Sequence, residues 1–441
     1  MKSLAIIGGG FSGLCCLAAL VRHAAVPLHI TIYHPDNALG RGKAYSTQDP
    51  EHLLNVRAGA MGAHAVSEDG FHQWITAQGL DYKAADFVPR MVYGRYLDHE
   101  LAQTLVAAQA KGLRIFRVHE NALHVRAQDH KLVVETATGA HGVSHLHDAV
   151  ILACGNDRPR MPVLGGGVAR HAGWWPHPYQ ADRYADIQKA GHVIIIGSGL
   201  SMIDALVTLR RTGYDGDITA LSRHGQIPMA HVESSTAFVW TDDDLRGLTS
   251  PARVLRHVRA QAAQSGADWR DVLDGIRGHA NDIWRGFSPA DRARAARYMS
   301  FWNTHRHRIP QQMHDMVSTM IAQGQLRLLA GRVEKLEAIG SSLYVYGSAG
   351  VQEGQIVINC LGYDYSIRPQ DGSLLSRLAA AQMMTLAEGF PQPVGTAWGL
   401  HKQHALYGVG PLWQGHLIES TAVRDIRGQA DQVARAILQR E

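Results

Sequence analysis

The sequence is poor in cysteine and has no long apolar run. Its 441 residues include four cysteines, and no two of them have the CxxC spacing: Cys15, Cys16, Cys154 and Cys360. A redox-active dithiol is therefore not expected, and without a disulfide framework a reducing cytoplasm is the simplest location. No apolar stretch reaches the roughly 20 residues that a membrane span requires, so we expect a soluble chain with no membrane partner.

Blocks of basic residues and metal-binding histidine pairs are also missing. The net charge is only +4, and no run of Lys and Arg marks a nucleic-acid interface. The 26 histidines are scattered, and no pair has the HExxH spacing of a metal-binding helix. We expect neither a nucleic-acid partner nor a metal. With 46% apolar and 19% charged residues, the chain has the composition of a globular protein with two or three domains.

Two stretches of the sequence repeat one pattern. The segments "SLAIIGGGFSGLCCLAAL" (3–20) and "HVIIIGSGLSMIDALVTL" (192–209) each contain an apolar strand, a glycine turn and a helix with an apolar face. A second strand follows each of them, "HITIY" (29–33) and "DITALS" (217–222). The repeat predicts an α/β fold with two Rossmann-like dinucleotide-binding domains.

Two further strands end in a glycine on either side of the second repeat. They are "DAVILACGNDRP" (148–159) with Gly155 and "QIVINCLGYDYS" (355–366) with Gly362. We interpret them as crossings between domains. The predicted first domain is then 1–160 plus 355–441, and the second domain, 185–354, is inserted into it. The sequence over about 232–325 is rich in Ala, Arg and Trp and predicts a helical insertion in the second domain, with helix starts at Pro251 and Pro289, each beside a serine.

The first glycine turn has the spacing GxGxxG, with Gly8, Gly10 and Gly13. Gly8 permits the tight turn, Gly10 lets the backbone approach a pyrophosphate, and Gly13 lets helix and strand pack closely. Phe11 and Ser12 then open a helix whose N-terminus faces the anion. The alternative is a glycine-rich turn that holds no ligand.

His34 stands where an acidic residue normally grips the ribose of the dinucleotide. A ring nitrogen can still bond a ribose hydroxyl, as donor or as acceptor according to its protonation. We expect the cofactor to be bound, but less firmly than with a glutamate at this position.

The second turn predicts a phosphate-bearing nicotinamide cofactor. Gly197, Ser198, Gly199 and Leu200 form the turn, and Met202 replaces the third glycine. Arg223 ends the following strand, where a guanidinium suits a 2′-phosphate. We therefore expect NADPH rather than NADH; the alternative is that Arg223 is a solvated surface charge.

The order of these motifs resembles flavin-dependent oxidoreductases with two dinucleotide domains, of the glutathione-reductase and flavin-monooxygenase kind. Within these it is similar to flavin-containing monooxygenases and N-hydroxylases. The segment "HAGWWPHPYQ" (171–180) resembles their signature FxGxxxHxxxY/W through Gly173, His177 and Tyr179, with His171 in place of the phenylalanine. The segment 52–75 resembles the one that carries an asparagine beside the flavin, here Asn55. "GRGKAYS", with Arg41, and "SRHGQIPMAH" look like a related group of bacterial FAD/NAD(P)-binding proteins.

The resemblance implies FAD in the first domain and NADPH in the second. Hydride would pass from NADPH to the flavin, and the reduced flavin would meet molecular oxygen. A C4a-hydroperoxyflavin would then oxygenate a nitrogen, a sulfur or a carbonyl of a small-molecule substrate, with Asn55, His177 and Tyr179 as candidate catalytic residues. Two alternatives stay open: a reductase or oxidase that inserts no oxygen, and a flavin-binding protein without catalysis.

The C-terminal segment predicts a loop that closes the first domain over the flavin. Gly410 lies in this loop, and Ser420 and Thr421 are candidate caps for the last helix, with Thr421 near the flavin. The cationic segment "WNTHRHRIP" (302–310) is interpreted as a solvated helix end, with an anion-binding patch as the alternative. The sequence does not identify the substrate and leaves a homo-oligomer open.

Overall fold

A computed structural model describes residues 1–137, 145–155, 158–232 and 238–440. The chain divides into two units: the first consists of Met1–Asp157 with Tyr365–Glu441, and the second is Arg158–Asp364. The second unit thus lies in the chain between the two segments of the first. The part of the chain that is described has no helix both long and apolar enough to cross a membrane.

The described strands and helices alternate over much of the chain. The strands are β1 (Lys2–Ile7), β2 (Leu28–Tyr33), β3 (Arg114–Val118), β4 (Ala122–Gln128), β5 (Lys131–Thr136), β6 (His145–His147), β7 (Ala149–Leu152), β8 (Val163–Leu164), β9 (Trp174–Trp175), β10 (His192–Ile196), β11 (Asp217–Ser222), β12 (Leu326–Ala330), β13 (Val333–Ile339), β14 (Ser342–Gly347), β15 (Gly350–Gly354), β16 (Ile356–Asn359), β17 (Leu386–Ala387), β18 (Phe390–Pro391) and β19 (Leu406–Gly408). The helices are α1 (Phe11–His23), α2 (Gly42–Tyr45), α3 (Gly70–Ala77), α4 (Arg90–Ala110), α5 (Leu200–Arg211), α6 (Asp242–Leu245), α7 (Pro251–Ser265), α8 (Trp269–Ile276), α9 (Ala280–Gly286), α10 (Pro289–Ala295), α11 (Met299–Arg306), α12 (Gln311–Ala322), α13 (Leu374–Ala380) and α14 (Val423–Gln439).

The first unit is built on a parallel sheet with the strand order β19-β7-β1-β2-β3. Strands β1 and β7 are apolar and buried, as expected for the centre of a parallel sheet covered on both faces. Helices α1, α4 and α14 contribute to the same core, with the aromatic side chains Phe71, Tyr93 and Tyr96 at its centre. Strands β4, β5 and β6 form a separate antiparallel sheet.

The second unit repeats this plan with the parallel order β12-β11-β10-β16-β9. Strand β16 pairs with β10, so residues 355–364 belong to the second unit and not, as predicted, to the first. The reason is that an apolar strand fits either sheet, and its sequence does not specify the partner. Strands β13, β14 and β15 form an antiparallel sheet with β8 at its edge.

The connection from β11 to β12 holds the helices α6 to α12. Helix α7 begins at Pro251 after Ser250, and α10 begins at Pro289 after Ser288, which confirms both predicted helix starts. A small apolar core around Trp240 holds this region together. The expectation that "WNTHRHRIP" is a solvated helix end is wrong for Arg308, which is buried and forms an ion pair with Asp274.

Candidate functional site

The conformation of the first glycine turn requires its glycines. Gly8 has φ +107°, and a Cβ atom there would lie 2.2 Å from the carbonyl oxygen of Ala153. A Cβ atom on Gly13 would lie 2.1 Å from the carbonyl oxygen of Gly8. The N–H of Gly8 donates to the carbonyl oxygen of Tyr33 at 2.9 Å, which fixes the turn at the carboxyl end of β1 and β2. Gly8 and Gly13 are therefore needed for close packing within the chain itself.

The second turn has the same construction. Gly197 has φ +101°, and a Cβ atom there would lie 2.4 Å from the carbonyl oxygen of Cys360. Its N–H donates to the carbonyl oxygen of Leu221 at 2.8 Å. Met202 is fully buried, so α5 accommodates a side chain at the position where α1 requires Gly13. Leu200 is the first residue of α5.

Gly10 and Gly199 are the N-cap residues of α1 and α5, and neither helix has a side-chain cap. No side chain therefore caps the first turn of either helix, as in helices whose N-terminus binds a pyrophosphate, and in α5 the N–H of Met202 donates to the carbonyl oxygen of Gly199 at 3.0 Å. Around Gly199 the described chain leaves the Cβ position open to 4 Å, whereas a Cβ on Gly10 would meet Gly42 at 3.3 Å. Both turns fit a dinucleotide.

The C-terminal loop meets the first turn at the start of α1. Phe11 and Ser12, the first residues of α1, are both buried. A Cβ atom on Gly410, which has φ +78°, would lie 2.7 Å from Oγ of Ser12. The N–H of Gly410 donates to Oε1 of Gln429 on α14 at 2.7 Å. The structure therefore brings Gly410 together with the predicted dinucleotide turn.

His34 lies against the first turn. A Cβ atom on Gly9 would lie 2.8 Å from the His34 ring, and the His34 side chain is 16% exposed. Burial lowers the pKa of the ring, and Asp36, with Oδ2 3.7 Å from Nε2, opposes this only in part. The imidazole is thus neutral at pH 7, as the predicted bond to a ribose hydroxyl assumes.

Arg41 precedes α2 and is engaged within the chain. Its Nε donates to Oδ1 of Asp98 at 2.9 Å, and its Nη2 also bonds this carboxylate. The hydrogen bond to Asp98 raises the pKa of Arg41. The guanidinium therefore already has a bidentate partner in Asp98. The predicted contact of Arg41 with a cofactor stays a prediction.

Three other predicted cofactor residues lie at strand ends. Gly155 follows β7 with φ +66°, and Gly362 follows β16 with φ +78°. Both Cβ positions are open to 4 Å within the described chain. Arg223 directly follows β11 and is exposed. Ser198 donates its hydroxyl hydrogen to the carbonyl oxygen of Gln226, which ties the segment after β11 to the second turn.

The predicted catalytic residues lie in different units. Asn55 is in the first unit, half-buried in the segment between α2 and α3, where its neighbour Leu54 donates its N–H to the carbonyl oxygen of Val88 at 2.9 Å. His177 and Tyr179 are exposed in the second unit, on the segment after β9. The Tyr179 hydroxyl donates to Oδ2 of Asp204 at 2.9 Å, beside α5 and the second turn.

The predicted cap of the last helix is wrong. Helix α14 begins at Val423, its N-cap residue is Ala422, and no side chain caps it. Thr421 is exposed just before the cap, and Ser420 is fully buried and donates to Oε1 of Gln414 at 2.9 Å. The Ser420 hydroxyl therefore bonds within the loop and does not cap α14.

Sequence reasoning missed two buried charged residues near these sites. Asp204 on α5 is 5% exposed, and its place inside an apolar helix pattern was the only signal. Arg427 on α14 is 6% exposed and donates to the carbonyl oxygen of Gly62 at 2.7 Å and to Oε1 of Glu68 at 2.9 Å. It thereby fixes the loop that follows Asn55 onto α14. The described residues include no group of three or more His, Cys, Asp or Glu side chains that could bind a metal.

A family model described as FAD-NAD(P)-binding matches residues 5–157. This confirms the predicted FAD/NAD(P)-binding domain at the first turn. No curated protein sequence matches the chain.

Solved structures of flavoproteins match almost the whole chain. An ornithine N-hydroxylase from Kutzneria sp. 744 has a TM-score of 0.65 at 14% identity, over 99% of this chain and 98% of that one. The L-lysine 6-monooxygenase from Pseudomonas syringae has a TM-score of 0.64 at 16% identity, over 99% and 98%. A bacillithiol disulfide reductase from Bacillus cereus has a TM-score of 0.58 at 14% identity, over 100% and 99%. These likenesses confirm the predicted fold class, α/β with two Rossmann-like domains.

Proposed function

We propose that the protein is an FAD-dependent oxidoreductase that oxidises NADPH and acts as a monooxygenase on a small-molecule substrate. The observation that supports this best is the repeated turn: Gly8 and Gly197 have the same left-handed backbone, and each contacts the strand-end carbonyl of its own sheet. In this proposal the first unit binds FAD and the second binds NADPH. The nitrogen-hydroxylating and oxygenating enzymes among the similar structures support the same reading.

The chain's own residues would bind and orient both cofactors. The uncapped N–H groups of α1 would bind the FAD pyrophosphate, with Gly10 allowing close approach. The neutral His34 ring would bond a ribose hydroxyl. Gly199 and the first turn of α5 would bind the pyrophosphate of NADPH, and Arg223 its 2′-phosphate. When bound, FAD would supply hydride acceptance from NADPH and electron transfer to dioxygen.

The remaining predicted residues would act on the substrate side. Asn55 would donate and accept hydrogen bonds near the flavin, held in place by the backbone bond of Leu54 to Val88. His177 and Tyr179 would orient substrate or nicotinamide, and the Asp204 carboxylate would hold the Tyr179 hydroxyl. We also infer a cytoplasmic site of action, because none of the four cysteines forms a disulfide.

The cysteines support a dithiol reductase less well than the proposed monooxygenase. Cys15, Cys16 and Cys360 are buried, and burial raises the pKa of each thiol. A buried thiol with a raised pKa is a poor nucleophile, since the thiolate is the reactive form. The similarity to a disulfide reductase therefore supports a shared cofactor-binding fold. The buried thiols do not support disulfide reduction by this chain.

The test uses purified protein reconstituted with FAD, reduced anaerobically with NADPH and then mixed with aerated buffer in a stopped-flow spectrometer. A monooxygenase should bleach the flavin with NADPH. On mixing with oxygen it should show a transient absorbance that outlasts mixing, before oxidised flavin and peroxide appear. Candidate amines are then added, and a substrate should lower the peroxide released per NADPH consumed.

Two other outcomes would favour the alternatives. Immediate return of oxidised flavin with one peroxide per NADPH, whatever amine, sulfide or ketone is added, would indicate an oxidase or acceptor reductase. A protein that takes up FAD but is not reduced by NADPH or NADH would indicate flavin binding without this catalysis.

A further inference from the structure

The carboxyl ends of β11 and β12 bring two arginines to one edge of the second sheet. Ser222, the last residue of β11, pairs in register with Ala330, the last residue of β12. The N–H of Gly331 then donates to the carbonyl oxygen of Ser222 at 2.8 Å. Arg223 follows Ser222, and Arg332 follows Gly331, so the two arginines leave neighbouring strands within one residue of the same level.

The backbone of Arg332 is fixed from a second side. Its N–H donates to Oγ of Ser348 at 2.9 Å, and its carbonyl oxygen accepts from the N–H of Ser348 at 3.0 Å. A Cβ atom on Gly331 would lie 2.7 Å from Cβ of Ala349, in the same turn between β14 and β15. Arg332 therefore starts from a rigid position, and its side chain is not needed to hold the backbone.

Both guanidinium groups are exposed and carry charge that no described residue neutralises. Neither Arg223 nor Arg332 forms an ion pair or a side-chain hydrogen bond within the described part of the chain. Arg327 on strand β12 differs, because its Nη2 donates to Oε1 of Gln352 at 2.9 Å. Arg223 also lies three residues before Gln226, the residue that Ser198 joins to the second glycine turn.

This arrangement fits a phosphate at the ribose of a dinucleotide. In a βαβ unit, the ribose 2′ position lies at the end of the second strand, which here is β11. Guanidinium groups bind phosphate oxygens bidentately, and two of them neutralise a dianion that one cannot. The third strand, β12, supplies the second cation.

We propose that Arg332 is a specificity-determining residue that binds the 2′-phosphate of NADPH together with Arg223. The inference rests on the proposed function, since it assumes a nicotinamide dinucleotide in the second unit. It adds a residue that lies 109 positions from Arg223 in the sequence (332 − 223 = 109). The enzyme should then prefer NADPH to NADH through two arginines from adjacent strands.

The test measures nucleotide binding without turnover. FAD-loaded protein is titrated in a calorimeter with 2′,5′-ADP, which carries the 2′-phosphate, and with 5′-AMP, which lacks it. The wild type should bind 2′,5′-ADP about a hundredfold more tightly, the size of two charge-assisted contacts of about tenfold each. R332A and R223A should each lose about tenfold for 2′,5′-ADP with 5′-AMP binding unchanged, and R332K should fall between.

The control variant is K189A. Lys189 is exposed at the amino end of β10, the opposite edge of the sheet, so its loss removes the same charge without touching the proposed contact. It should leave the ratio of the two affinities unchanged. Thermal unfolding of each variant checks that the fold is retained.

Three results would overturn the inference. If R332A keeps the wild-type ratio, or loses both nucleotides equally, Arg332 does not read the 2′-phosphate; NADPH could still reduce the flavin, and the proposed function would stand. If K189A lowers the ratio as much as R332A, general charge explains the preference. If neither nucleotide nor NADPH binds the FAD-loaded protein, the inference and the proposed function fail together.

Discussion

The Tyr179 hydroxyl donates a hydrogen bond to Oδ2 of Asp204 across 2.9 Å, and it also lies 3.4 Å from Oγ of Ser201. Asp204 and Ser201 belong to α5, so the tyrosine is joined to the helix that follows the second glycine turn. Asp204 is 5% exposed, and a buried carboxylate requires such donors. This relationship joins Tyr179 to the helix that binds NADPH in the proposed function.

We predict that Y179F lowers the stability of the second unit by about 1–2 kcal/mol, because a buried carboxylate loses a donor. The rate of flavin reduction at saturating NADPH should change less than about threefold, while the Kd for NADP+ should rise. Thermal unfolding, stopped-flow reduction and calorimetry measure the three quantities. Y298F is the matched control, since Tyr298 is an exposed tyrosine of the same unit and should change none of them. A large loss of reduction rate with unchanged stability would instead support a catalytic Tyr179.

We predict that G199A and G10A separate the two cofactor sites. Gly199 has φ −87° and open space at its Cβ position, so alanine should fold normally and meet only a bound pyrophosphate. G199A should therefore raise the Kd for NADP+ at least about tenfold and leave the FAD content unchanged. G10A should lower the FAD content instead, because Gly10 lies in the glycine turn of the segment that the FAD-NAD(P)-binding family model matches. Equal loss of both cofactors in G199A would contradict the assignment of one dinucleotide to each turn.

The sequence predicted well those features that depend on neighbouring residues. The spacing of Gly8, Gly10 and Gly13 is set by one strand, one turn and one helix, so the motif specifies its own geometry. The helix starts at Pro251 and Pro289 are equally local, since proline has a fixed φ that suits the first helical residue, and at Pro289 the Ser288 side chain also caps the helix.

Features that join distant segments could not be predicted in this way. Arg427 bonds Gly62 across 365 positions, and nothing in either segment indicates the partner. Strand β16 (IVIN) is a short apolar strand like β7 (AVIL), and its sequence does not specify which sheet it joins. The start of α14 was missed because Ala422 caps it without a side-chain signal.

We predict that H34E binds FAD more tightly than the wild type. A carboxylate accepts hydrogen bonds from ribose hydroxyls, whereas the neutral imidazole offers one donor and one acceptor in fixed directions. The Kd for FAD should fall about tenfold, measured by quenching of FAD fluorescence as the cofactor is added to apo-protein. H34Q, which is neutral and polar, should stay near the wild type. A weaker affinity for H34E would mean that the residue at position 34 does not bond the ribose.

Asp431 on α14 joins the last helix to α1 within the first unit. Its carboxylate accepts from Nη2 of Arg22 at 2.6 Å, Nε2 of His23 at 2.7 Å and Nε of Arg435 at 2.8 Å. Burial alone would raise its pKa, but the bonds from Arg435, His23 and Arg22 outweigh burial and lower the pKa to about 2. The side chain is 15% exposed, so solvent screens these bonds only in part.

We predict that D431N lowers the free energy of unfolding by about 2–3 kcal/mol at pH 7, from a folded pKa of about 2, a pKa near 3.9 in the unfolded chain and about 1.4 kcal/mol per pKa unit. The folded pKa is the lower one, so the stabilisation is complete above the unfolded pKa and declines as the pH falls towards the folded pKa. The difference between wild type and D431N should therefore be constant from pH 7 to 5 and roughly halved by pH 3. Chemical unfolding at each pH measures it. D282N is the control, because the Asp282–Arg285 pair is exposed and should contribute little at any pH. A difference that does not shrink by pH 3 would show that D431N acts through packing and not through the charge of Asp431.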